Sequence, residues 1–172
     1  SQLYTGTRSR ALAVGKGAFV SRATLMGVDY YLLPKTPVNG GPVIARDWLE
    51  QEDHQFGEIQ SALDPAIETR KRSLAALLLK MNPEFSEFNI RYEEIAQFER
   101  ISVEDARRKY RYIEINGPGV QFTIFDRYIA IGIYSKADTN ELDAVLAALS
   151  KEGGFVLFDP QSDEVIDLGE DS

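Results

Sequence analysis

Three runs between residues 110 and 134 constrain this chain most: YRYIEI (110–115), VQFTIF (120–125) and YIAIGIY (128–134). Each alternates or is enriched in β-branched and aromatic residues, the pattern of a strand with two distinct faces. NGPG (116–119) and the pair Asp126-Arg127 separate them. The second link is too short for a crossover, so these strands must be antiparallel neighbours. The spacing further predicts that Ile129, Ile131 and Ile133 share one face, and Tyr128, Ala130, Gly132 and Tyr134 the other.

A meander of three strands needs further elements to bury it. VDYYLL (28–33) reads as a buried strand, followed by a loop, PKTPVNGG (34–41). Pro42 can open a helix that turns Ile44, Trp48 and Leu49 inward and ends near Asp53. Asp64-Pro65 is a strong helix start, with Ile67, Leu74, Leu77, Leu78 and Met81 at helical spacing and Asn82-Pro83 as the stop. Tyr92, Ile95 and Phe98 indicate a short helix, and Ser102 with Asp105 forms a capping box for another through about Lys109. Asp138 or Thr139 caps a last helix, whose inward stripe is Leu142, Val145, Leu146 and Leu149 and whose stop is Gly153. FVLF and VIDL then make a hairpin. The expected fold is α+β: a mostly antiparallel sheet built from an N-terminal strand, the meander and a C-terminal hairpin, with helices packed on one face.

The 172 residues suit one domain. Residues 1–25 read as a basic extension, with Arg8, Arg10, Lys16 and Arg22 and no acid, ahead of a single domain over 26–172. That domain carries 15 basic against 27 acidic residues, a net charge of −12. Such a surface repels nucleic acid and anionic membrane and favours a basic protein partner. The chain has no cysteine, which removes disulfides and thiolate chemistry and is compatible with a cytoplasmic location.

Candidate chemistry centres on carboxylates. Counting from Asp159, side-chain oxygens at Asp159, Gln161, Asp163, Asp167 and Glu170 approach the spacing of a calcium loop. Glu164 stands where that loop needs glycine, and the flanks read as strands, so a hairpin turn explains the segment better. The single histidine, His54, lies in a polar run without a nucleophile motif. Arg70-Lys71-Arg72 and Arg107-Arg108-Lys109 read as solvated helix faces paired with acids. No motif calls for a catalytic residue, a cofactor or a metal.

Several stretches taken together resemble a widespread family of small bacterial proteins. They are VDYYLLP, ISVEDARRKYRYIEINGPGVQFTIFD with YIAIGIY, and GGFVLFDPQSDEVIDL. In that family a start of the form x-Y-D-x-Y-L-F, an acidic-capped helix before a β-meander and a closing GGFVxYDPQ…VxDL recur in the same order. The resemblance spans residues 28–168 loosely and 101–168 best, and it brings no catalytic motif with it. Small acidic domains of this style are common among immunity proteins of bacterial toxin systems. The expectation is therefore a non-enzymatic protein-binding domain, an immunity-type inhibitor of a basic toxin. Asp126, Arg127, Asp159, Asp163 and Glu164 are its candidate partner-binding residues. The alternatives are a hydrolase using Asp126, Asp159 or Asp167, and a homo-oligomeric scaffold or regulator that pairs an exposed strand edge.

Overall fold

The computed structural model describes residues 27–38, 41–53, 62–134 and 139–168. His54 and the segment 1–25 lie outside these residues. In chain order the elements are β1 (Gly27–Pro34), α1 (Lys35–Val38), α2 (Pro42–Asp53), α3 (Pro65–Met81), β2 (Ser86–Glu87), α4 (Tyr92–Glu99), α5 (Val103–Lys109), β3 (Ile113–Gly117), β4 (Val120–Ile124), β5 (Ile129–Tyr134), α6 (Thr139–Gly153), β6 (Phe155–Asp159) and β7 (Glu164–Ile166). The fold is α+β, and the seven strands among the described residues form one antiparallel sheet in the order β2-β3-β4-β5-β1-β6-β7.

The meander forms as its pattern requires. Phe122 pairs with Ile115 on one side and Ile131 on the other, and Gln121 lies between Asn116 and Gly132. Strand β1 then inserts between β5 and β6, with Tyr31 opposite both Ala130 and Phe158. The N-terminal strand is thus central, although it is far from its neighbours in sequence.

Helix boundaries follow local chemistry. Asp64 caps α3 by accepting from the Ala66 amide, and Ser102 Oγ accepts from the Asp105 amide at the start of α5. At the end of α6, Gly154 rather than Gly153 adopts the left-handed backbone, with φ 67°. Gly153 answers a different need, because a Cβ there would lie 2.2 Å from the Phe155 ring. Residues 35–38, expected as loop, form a short helical segment interrupted by the extended backbone of Thr36 (φ −84°, ψ 113°), and β2 was not expected at all.

The first face of the sheet carries Leu32, Ile115, Phe122, Ile124, Ile129, Ile131, Phe155 and Leu157. Leu74, Ala75 and Leu78 of α3 and the four expected apolar residues of α6 close over them. Each large side chain fully buried here contributes roughly 1.5–3 kcal/mol. Helices on this face alone do not complete the fold. Leu33, Ala130, Tyr128, Val156 and Phe158 face the other way, and α2 covers them with Ala45, Leu49 and Trp48. The expectation of helices on one face is corrected in this respect. The reason is legible in β1 and β6: YYLL and FVLF are apolar at consecutive positions, so both sides of these strands need cover. Ile44, expected to point inward, is instead 45% exposed, because Ala45 and Leu49 form the buried stripe.

Candidate interaction surface

The carboxylates singled out from the sequence are held by different sets of partners. Asp126 follows β4, where its Oδ1 accepts from Lys71 Nζ at 2.7 Å and its Oδ2 accepts from Arg111 Nη2. Asp159 folds back on its own turn, with Oδ1 accepting from the Gln161 amide and Oδ2 from Ser162 Oγ. Asp167 pairs with Lys35 at 2.6 Å. Asp163, whose φ is 60°, pairs with Arg46 of α2 at 2.7 Å. Arg127 donates to Glu52 and stacks over Trp48. Glu164 alone among the expected partner-binding residues has an exposed carboxylate with neither ion pair nor hydrogen bond to the described residues.

Topology separates Asp126 from Asp159. Strand β5 starts at Ile129 opposite Leu32, so the preceding Asp126 lies toward the C-terminal end of β1. Strand β6 runs from Phe155 opposite Pro34 to Phe158 opposite Tyr31, which carries Asp159 toward the N-terminal end of β1. The two acids belong to opposite ends of the sheet. A shared acid–base cavity requires carboxylates that converge.

One basic residue departs from its expected place. Lys71, read as part of a solvated helix face, is only 1% exposed. Its ammonium donates to the Arg111 carbonyl and to Asp126, each at 2.7 Å, and pairs with Glu68 at 2.7 Å. Arg111 completes the group through Asp126. Desolvating one charge is costly unless several partners compensate, and this set supplies three to Lys71. The network ties α3 to the meander turn. The turn dipeptide Asp126-Arg127 is therefore structural on its aspartate side.

The α4–α5 pair is held by an aromatic anchor. Tyr92 donates from its hydroxyl to the Tyr110 carbonyl at 3.0 Å, with the Arg107 guanidinium over its ring. Burial pushes the Tyr92 phenol up to about 12, against the opposing pull of the Arg107 guanidinium. Tyr110 donates to Glu99, which also holds Lys109. Phe98 projects from α4 and is 84% exposed.

On the second face of the meander, Gln121 and Thr123 are 6% and 3% exposed. Gln121 Nε2 and Thr123 Oγ1 find no hydrogen-bond partner. Next to them Tyr31, Trp48, Phe125 and Tyr128 form an aromatic cluster, with Phe125 and Tyr128 stacked at 4.8 Å. Tyr128, which sequence periodicity assigned to this face, is buried inside that cluster.

Charge pairing across the surface is lopsided. Among the described residues, every Lys and Arg except Lys80, Arg100 and Lys151 is engaged by an acid, a carbonyl or an aromatic ring. Asp47, Glu50, Glu84, Glu93, Asp143, Glu152 and Glu164 are exposed, and their carboxylates have no such partner among the described residues. Sequence reasoning found Glu164 but missed Asp47 and Glu50. The available signal was their spacing from Val43, at i+4 and i+7, which sets all three on one stripe of α2. No helix among the described residues is long and apolar enough to cross a membrane.

Comparison with known protein families, with curated proteins and with solved structures finds no match to this chain.

Proposed function

We propose that this protein is a non-enzymatic protein-binding domain, an immunity-type inhibitor that covers a basic toxin. The observation that carries the reading is the lopsided pairing: the domain's bases are largely engaged internally, while a set of its acids remains available. Surface charge of one sign steers an oppositely charged partner and raises the association rate in a salt-dependent way. The closing GGFVLFDPQSDEVIDL segment and the acidic-capped helix before the meander support the bacterial immunity class by resemblance alone. A cytoplasmic location agrees with the lack of cysteine.

The two alternatives have less behind them. A carboxylate hydrolase would draw on Asp126, Asp159 or Asp167, and each is held by its own partners. A scaffold built by strand pairing would use the described sheet edges, which are two and three residues long. Short edges offer few backbone groups to a second copy.

The test is affinity capture with the tagged full chain from a lysate of the source cells, at low and at high salt. The reading expects one basic protein in near-stoichiometric yield at low salt and reduced recovery at high salt. Absence of a specific partner under both conditions overturns it.

A further inference from the structure

The outward stripe of α2 combines an exposed aliphatic pair with exposed carboxylates. Val43 is 70% exposed and Ile44 is 45% exposed, adjacent to each other in the first turn. Isolated exposed aliphatics are ordinary, but an adjacent β-branched pair on an outward helix face gains nothing from packing and has low helix propensity. Asp47 and Glu50 continue the same face, both exposed and both without an ion pair among the described residues.

Among the described residues, two bases on or beside this helix are already engaged. Arg46 is held by Asp163 and lies over the Phe158 ring at 5.4 Å. Arg127 is held by Glu52 and lies over the Trp48 ring at 5.2 Å. These same contacts clamp α2 to the sheet, together with the burial of Ala45 and Leu49. The stripe is thus a rigid, pre-positioned surface with an apolar end and an uncompensated negative end.

We propose that Val43, Ile44, Asp47 and Glu50 form a docking surface for a basic protein segment that presents apolar side chains beside Lys or Arg. The aliphatic pair would supply the desolvated centre of the contact, and the two carboxylates would set orientation and on-rate. This assignment rests on the protein-binding reading above and names the surface that reading leaves open.

Phe98 is more exposed than either aliphatic residue, but it is the one exposed large hydrophobic side chain on α4 and is a weaker candidate. The unpartnered Gln121 and Thr123 atoms are fully enclosed, which leaves a partner no access to them.

The test uses the isotope-labelled full chain titrated with a synthetic amphipathic Leu/Lys helical peptide, and with a Leu/Glu peptide of equal length as control. The expected result is amide shift changes centred on residues 42–51 with the Leu/Lys peptide and none with the control. The double variant Asp47→Lys, Glu50→Lys should weaken the Leu/Lys affinity about tenfold, and Val43→Ser with Ile44→Ser should weaken it by a similar factor. Should the charge-reversed chain fail to fold, Asp47→Asn with Glu50→Gln carries the same test with about a threefold effect. Shift changes centred elsewhere, binding unaffected by these variants, or no binding at millimolar peptide each overturn the proposal. Lysate capture separates the two levels: a partner held equally by wild type and the charge-reversed variant removes this surface and leaves the protein-binding reading standing. A wild type that captures nothing, while the Leu/Lys peptide still maps to α2, removes the inhibitor reading and leaves the surface.

Discussion

Phe122 and Ile131 stand opposite each other on the first face of the meander, and one residue earlier on β4 Gln121 stands opposite Gly132 on the second. Every residue of β4 is buried, so exposure does not distinguish the two faces. Chemistry does. The first face is aliphatic and aromatic throughout and meets two long amphipathic helices. The second changes along the sheet, from apolar under α2 to polar on β3 and β4, and it holds two buried polar atoms without partners. Stability is thus concentrated on the first face, whereas the second tolerates an arrangement that packing alone would not select.

The contrast can be broken from either side. Phe122→Ala should show the largest loss, about 3–5 kcal/mol in guanidinium unfolding, because its ring is wholly buried on the first face. A loss below 1 kcal/mol would mean that this face is not the main core. Lys71→Ala should follow, at about 3 kcal/mol, since Asp126 and Glu68 would lose their buried cation. Lys71→Met separates charge from volume: a melting curve close to that of the alanine variant assigns the loss to the charge network, and a curve close to wild type assigns it to packing.

Tyr92→Phe should cost about 1 kcal/mol at neutral pH, through the lost hydrogen bond to the Tyr110 carbonyl. Its pH dependence has a definite sign. The phenol is raised in the folded state from 10.0 to about 12. The unfolded chain therefore releases this proton first, and the contribution is complete below pH 10 and lost as pH rises toward 12. Stability measured over that window should fall less steeply in the phenylalanine variant, and parallel curves would refute the assignment.

The smallest effect is expected on the second face, and with the opposite sign. Thr123→Val replaces a buried hydroxyl that has no partner with a methyl group of nearly the same shape. It should raise stability by up to about 1 kcal/mol. A loss of that size would show that the hydroxyl is satisfied in solution and that the two faces differ less than the side-chain geometry indicates.

Much of the architecture can be read from local pattern. The hairpin between β4 and β5, the caps at Asp64 and Ser102, the stop at Asn82-Pro83 and the split of β5 into an isoleucine face and a tyrosine face all follow from short-range rules. The segment GGFVLFDPQSDEVIDL likewise resolves as helix stop, strand, turn and strand, because Asp159 and Pro160 are turn chemistry wherever they occur between apolar runs.

The candidate surface was less legible. Ile44 has an inward-looking residue type, and only the competition with Ala45 and Leu49 for the sheet turns it outward. Lys71 sits in a basic triplet that any local reading assigns to solvent, yet Asp126 and the Arg111 carbonyl, 55 and 40 residues away, draw it inside. Which carboxylates stay unpaired depends on which bases the fold delivers to them. Arg46 reaches Asp163 across 117 residues and leaves its neighbour Asp47 without a counter-ion. Sequence by itself determined the longer helices and strands, the meander and the acidic balance, since these depend on backbone preference and side-chain periodicity within a few residues. Tertiary structure decided the central place of β1, the helix on the second face and the identity of the free acids, because burial and ion pairing are settled between residues that only the folded chain brings together.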